Sequence, residues 1–253
     1  MGTEGGLTAP DVAAWPGLRV TGALAGGHRS AVWAAEVGHR RLVVHRSTRS
    51  SAALDWELDL LDELAGHGFR VPETVPTAAG ARRDGRFVVR TWLDGDPPGP
   101  DDRDAVAAEL RRLHAYTGER PQRPGFAGTA ALVRGGTRGG DVDLAGMPPQ
   151  AASACRAAWA ALDGEPVSVV HGDPGRENVR MLEGRPGFLD WDECRVDRSV
   201  LDLDGWADVG DTVRRAVDAW EAAAGWRAEP AYARTRLAAL CGSAVGETGS
   251  PVG

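Results

Sequence analysis

Near the start of the chain, three short runs alternate apolar and polar residues: Leu18 to Thr21, Ala31 to Val37 and Arg41 to His45, separated by glycine-containing turns. A period of two predicts an antiparallel meander. From Ser51 to His67 the period lengthens. Leu54, Leu58, Leu61 and Ala65 fall on one stripe, with Leu60 and Leu64 beside it, which predicts a helix ended by Gly66 and Gly68. Val71 to Val75 leads into a longer strand, Arg86 to Leu93, which stops at the Gly/Pro/Asp cluster LDGDPPGPDD, a boundary signal. No βαβ alternation occurs in this half, which argues against a doubly wound sheet. Past the boundary, Asp101 and Asp102 can cap a helix running to about Thr117, with Val106, Leu110, Leu113 and His114 inward. A glycine-rich loop over 134–144 is followed by helices over 151–162, 211–224 and 231–240. Residues 1–16 read as a loosely held lead-in and about 242–253 as a disordered tail.

Composition narrows the class. The chain has 253 residues, 42% hydrophobic and 26% charged, with no apolar run approaching the roughly 18 residues of a membrane helix. The N-terminus lacks a basic region followed by an apolar core, so a cytoplasmic protein without a membrane partner is expected. Cys155, Cys194 and Cys241 are odd in number, without metal-like spacing, and read as free thiols. Lysine is absent; every basic chain is arginine. The net charge of −7 comes entirely from residues 96–253. That acidic half repels nucleic acid and favours cations.

The chemistry concentrates between Val169 and Asp192, VVHGDPGRENVRMLEGRPGFLDWD. It reads as a strand, a tight polar loop, a short strand pair and an acidic turn. Asp173 is placed to accept or orient a hydroxyl proton. Asn178 and Asp190 offer hard oxygens of the kind Mg²⁺ prefers. His171 is better suited to bracing the loop than to holding Mg²⁺. Trp191 reads as a packing residue, Asp141 and Asp143 as solvated loop acids, and Trp206, Trp220 and Trp226 as C-terminal core. Gly26 and Gly27, between two strands, allow close approach of backbone N–H groups to a phosphate, although a plain hairpin turn also accounts for them.

The pattern H-x-D-x-x-x-x-N, an apolar strand and then D-W-D resembles the aminoglycoside phosphotransferase and choline kinase branch of the protein-kinase-like fold. The Asp173 to Asn178 spacing is also that of the kinase catalytic loop. The resemblance implies an α+β, two-lobed fold: an N-lobe of antiparallel sheet plus one helix over 1–94, a hinge near 90–95, and a mostly helical C-lobe over 95–253. It implies Asp173 as catalytic base, with Asn178 and Asp190 as Mg²⁺ ligands. Gly26, Gly27 and His28 resemble the phosphate loop, and Glu57 the helix acid that pairs with a basic residue on the third strand. Arg90, Thr91, Trp92 and Leu93 resemble the hinge strand whose backbone meets an adenine edge. His171 and Asp202 would support the loop.

Two departures stand out. The usual strand lysine is missing, leaving His45 or Arg46 as candidates to pair with Glu57. The loop reads PGRE, so that Glu177 replaces a glycine before Asn178. The expected reaction is transfer of the γ-phosphate of ATP or GTP to a hydroxyl of a small polar, cationic acceptor, as in antibiotic resistance. The alternatives are a metabolic kinase for a choline-, homoserine- or sugar-type acceptor, and a catalytically impaired nucleotide-binding pseudokinase. The expected partners are nucleotide and acceptor, in a monomer or homodimer.

Overall fold

The structure is a computed structural model and describes residues 10–24 and 31–242. The expected phosphate loop at Gly26, Gly27 and His28, and nearly all of the expected disordered tail, lie outside the described residues. In chain order the elements are β1 (Arg19–Ala23), β2 (Ala31–Val37), β3 (Arg40–Arg46), α1 (Ser51–Gly66), β4 (Thr74–Val75), β5 (Phe87–Thr91), α2 (Arg103–Tyr116), α3 (Thr129–Val133), β6 (Arg138–Gly139), β7 (Val142–Asp143), α4 (Pro149–Ala160), β8 (Val167–Val170), β9 (Val179–Leu182), β10 (Arg185–Phe188), β11 (Arg195–Arg198), α5 (Asp211–Gly225) and α6 (Pro230–Gly242).

These elements form two units. One runs to Pro97 and takes in Val179–Leu189; the other comprises Pro98–Asn178 and the chain from Asp190. The first is therefore discontinuous, where a single cut at residues 94 and 95 was expected. The reason is local bonding. The Met181 and Asp96 backbones exchange two hydrogen bonds, at 2.7 and 3.0 Å. Arg70 donates to the carbonyls of Arg180 (2.9 Å), Arg185 (2.6 Å) and Asp94 (2.6 Å). The hairpin β9–β10 thus belongs with the strands before it.

The first unit is an antiparallel sheet in the order β1-β2-β3-β5-β4 with α1 on one face. Antiparallel partners point to the same face, and residues alternate along each strand. Val88 meets Leu54 and Leu58 of α1. On the other face Trp33, Ala35, Leu42, Val44 and Val89 form a core closed by Trp15. Trp15 Nε1 donates to the Val75 carbonyl at 2.8 Å, and the Ala78 N–H donates to the Ala14 carbonyl at 2.9 Å. The described part of the lead-in is consequently packed, contrary to the loose segment expected: a buried indole covers the second sheet face. In α1 the Ser50 hydroxyl caps the Ala53 N–H at 3.3 Å, and the leucine stripe is buried as its spacing predicts.

The second unit is mainly helical. Its core joins α3, α4, α5 and α6 through Leu132, Cys155, Trp159, Trp220 and Leu240. Ala216, Ala219 and Ala223, all fully buried on α5, let neighbouring helices approach closely. Burial pushes the Cys155 thiol up to about 12, so it stays protonated. All three cysteines are free thiols. The elements without a sequence signal are α3, the short pair β6–β7 within the expected glycine-rich loop, and β11, which pairs with β8. β11 reads RVDR, yet Arg195 and Asp197 are buried and paired at 2.9 Å. No helix among the described residues is long and apolar enough to cross a membrane.

Gly95 has φ +126°, and an added Cβ would stand 2.4 Å from the Met181 carbonyl oxygen. Gly95→Ala is expected to destabilise the first unit by more than about 1 kcal/mol. The urea midpoint should fall, and amide exchange should rise first in β9 and β10; unchanged exchange there would contradict the pairing just described.

Candidate active site

The loop after β8 is held from below by one carboxylate. Asp202 is buried, and its two oxygens accept the backbone N–H groups of His171 (2.7 Å) and Gly172 (3.0 Å). His114, from α2, is hydrogen-bonded to Asp202 Oδ2 at 3.0 Å through Nε2. Burial alone would raise the Asp202 carboxyl. The hydrogen bond from His114, the charges of His114 and His171 and the Gly172 N–H outweigh it and hold it below the usual carboxylate range. Gly172 sits at φ +93°, where an added Cβ would meet the Glu193 carbonyl oxygen at 2.6 Å, so glycine is needed at this bend. His171 is fully buried and packs tilted against Trp191, with ring centroids 4.6 Å apart at 57°, and its Nδ1 faces the Asp173 N–H at 3.4 Å.

Past this bend, Asn178 folds back onto Asp173. Its amide nitrogen donates to the Asp173 carbonyl (2.9 Å) and to Asp173 Oδ2 (3.0 Å). The nitrogen is thereby spent, and the amide oxygen is the group left for a cation. Burial, followed by the like charges of Glu177 and Asp190, raises the Asp173 carboxyl, against the lowering effect of His171. Three acids therefore crowd this corner. Asp190 is exposed and adopts the left-handed conformation (φ +53°, ψ 71°), one of two non-glycine residues with positive φ among those described. Such a backbone costs on the order of 1–3 kcal/mol and persists only where the surroundings enforce it.

The turn that follows is held by Arg123, which the sequence reading missed. It is fully buried, and its Nη1 donates to the carbonyls of Trp191 (3.2 Å), Asp192 (2.9 Å) and Cys194 (3.1 Å), clamping the turn that follows Asp190. Its guanidinium also lies 4.3 Å from the centre of the Phe126 ring. Trp206 is buried, as expected, and also donates Nε1 to the Pro174 carbonyl at 2.6 Å, which ties down the loop. No motif marks Arg123; the only signal for Trp206 was its closeness to Asp202. Asp143 is not the solvated acid expected. It is buried and paired with Arg138 (3.3 Å) and Arg227 (2.5 Å).

The nucleotide candidates lie in the first unit. Glu57 is fully buried in an ion pair with Arg90, a residue considered only for its backbone. His45 pairs with Val88 in register, so it shares the face toward α1; Arg46, one residue on, is exposed on the other face. That parity corrects the candidacy of Arg46. Thr91, Trp92 and Leu93 line a cavity of about 550 Å³. There the Trp92 ring lies under the Arg41 guanidinium at 4.8 Å.

Among the described residues no group of three or more His, Cys, Asp or Glu side chains forms a metal cluster. The two candidate ligands, Asn178 and Asp190, offer oxygens. One carboxylate and one amide suit Mg²⁺, which completes its shell with water and phosphate oxygens, and do not suit a soft metal.

A second acidic region lies on α5, facing Tyr232 and Arg236 of α6. Burial pushes the Tyr232 hydroxyl up to about 12, and the charges of Glu221 and Asp173 add to the effect while Arg236 opposes it. Tyr232 donates to Glu221 at 3.2 Å. Burial also raises Asp218, with Arg236 opposing and Asp204 reinforcing.

The model of the phosphotransferase enzyme family matches residues 21–239. The chain belongs to this family. Among curated proteins none matches the sequence. The protein-kinase-like fold is shared with several solved structures. The choline kinase LicA from Streptococcus pneumoniae is 12% identical over 89% of this chain and 92% of its own, with a TM-score of 0.60. A thermostable mutant of aminoglycoside phosphotransferase APH(4)-Ia, in a ternary complex with AMP-PNP and hygromycin B, is 14% identical over 88% and 93%, with a TM-score of 0.60. The amicoumacin kinase hAmiN, in complex with AMP-PNP, Ca²⁺ and Ami, is 14% identical over 90% and 72%, with a TM-score of 0.54.

Removing the brace is the direct test of the loop geometry. Asp202→Ala leaves two buried backbone N–H groups and His114 without their acceptor and should cost at least about 3 kcal/mol. Because folding depresses this carboxyl, its contribution is complete above the unfolded value of about 3.9 and is lost as pH falls through the lower folded value. Urea melts should therefore show a constant gap between wild type and variant from pH 5 to 7, narrowing only in stronger acid. A gap that closed near neutrality would assign the effect to another group.

Proposed function

We propose that this member of the family transfers the γ-phosphate of ATP or GTP to a hydroxyl of a small, cationic acceptor. The observation that carries the reading is the Asp173 and Asn178 pair. A carboxylate raised by burial and by neighbouring acids is a better proton acceptor than an ordinary aspartate. The Asn178 nitrogen fixes its orientation, and a backbone braced by Asp202 and Trp206 fixes its position. Asp173 accepts or orients the acceptor's hydroxyl proton. Asn178 and Asp190 would hold Mg²⁺, which, when bound, would offset the negative charge that develops during phosphoryl transfer. Glu57 and Arg90 lie in the unit expected to hold nucleotide, with Thr91, Trp92 and Leu93 for the base. The relatives crystallised with AMP-PNP support a nucleotide, and the one that also holds Ca²⁺ supports a divalent cation.

The acceptor class is argued from charge. The acids Glu221 and Asp204 lie in the same unit as Asp173, with Asp218 paired to Arg236, and the charges of Asp173 and Glu221 both act on the Tyr232 hydroxyl. Such a surface attracts amines and rejects anions. It suits an aminoglycoside-like antibiotic, and also an amino alcohol like the substrate that gives choline kinase its name.

With MgATP and a panel of hydroxylated amines, sugars and neutral alcohols, ATP consumption should be stimulated by amines. Asp173→Asn should lower kcat by about 10²–10⁴ while leaving nucleotide affinity nearly unchanged. Equal turnover in both proteins would sink the mechanism. Stimulation by neutral alcohols alone would exclude the cationic acceptor.

A further inference from the structure

The chain contains no lysine, so the cation that a kinase-like sheet supplies to a nucleotide must come from elsewhere. We propose that Arg90, on β5, is the residue that binds the nucleotide's phosphate groups, held in place by Glu57 of α1. This rests on the nucleotide-dependent reading above. Three observations carry it.

The first is register. Val43 pairs with Arg90 and His45 with Val88, so His45 and Arg90 are diagonal neighbours on the face toward α1. Diagonal neighbours in an antiparallel pair lie about 7–8 Å apart, a gap an arginine side chain spans. A guanidinium from β5 can thus occupy the space in front of the third strand. The second is permanence of charge. Glu57 has no exposure to water and Arg90 is 6% exposed. A buried carboxylate needs a cation that cannot deprotonate, and arginine meets that need where a histidine near neutral pH does not.

The third is the unspent part of the fork. Arg90 engages Glu57 through Nη2, and its buried Nε has no acceptor. A guanidinium carries five N–H donors, and leaving them unsatisfied away from water is costly. An arriving phosphate supplies acceptor oxygens in the planar arrangement a guanidinium matches. In this reading His45 packs beside the pair and does not carry the phosphate contact.

Equilibrium titrations of the full-length protein with MgATP and with adenosine test the assignment. Arg90→Met should weaken MgATP by about tenfold or more and adenosine by less than about threefold. His45→Ala should leave both within about threefold. Because Arg90→Met strands a buried carboxylate, the neutral pair Glu57→Gln/Arg90→Met is titrated alongside and should show the same selective loss. Wild-type MgATP affinity in that double variant would overturn the proposal. So would an equal loss for MgATP and adenosine, which marks a structural role, or a larger loss in His45→Ala. A wild-type protein that binds neither ligand overturns this assignment and the nucleotide reading together, whereas binding kept by the Arg90 variants overturns this assignment alone.

Discussion

The candidate active loop depends on one buried carboxylate. Asp202 accepts two consecutive backbone N–H groups and a histidine, and the bend at His171 and Gly172 that aims Asp173 follows from those bonds. A loop with three acids near one another repels itself. Asp173 is raised first by burial and then by this repulsion, while the Asp202 bonds fix the backbone on which it sits. Stability and chemistry are opposed at Asp173 and reconciled at Asp202.

Arginine does the rest of the holding. Arg123 gathers three carbonyls of the turn after Asp190, and Arg70 gathers three carbonyls in the first unit. Arg195 is buried between Asp197 and the Trp220 face, 3.3 Å from the ring centre. A planar, weakly hydrated cation tolerates such burial when its several donors are met, which an ammonium does less well. A chain without lysine therefore uses the same residue type to clamp backbone, to pair with Glu57 and to pack on aromatics.

Much of the fold was legible because it follows periodicity. The α1 leucines, the meander and the α2 inward positions all obey the spacing that burial requires. In the loop from His171 to Asn178, singled out by its side-chain spacing, Asn178 is hydrogen-bonded to Asp173. What escaped detection shares a cause. Arg123, Arg195 and Asp197 are charged yet buried, and a reading that assigns charges to the surface passes over them. Arg90 escaped for a related reason: a cation was sought at the next positions on β3, but the parity of β3 turns Arg46 away while the neighbouring strand turns Arg90 inward. The interruption of the first unit by the second could not be read from local patterns either, since it depends on bonds such as those of Arg70 across more than a hundred residues.

That interruption bears on how the protein is made. The last pieces of the first unit, β9 and β10, leave the ribosome only after the 81 residues from Pro98 to Asn178. At ordinary elongation rates the delay is roughly 4–16 s. Throughout it, the carbonyl of Asp94 is present for Arg70 while those of Arg180 and Arg185 are not, and the backbone of Asp96 waits for Met181. The backbone bonds that join the β9–β10 hairpin to the segments around Arg70 and Asp96 can therefore form only once the hairpin has been synthesised.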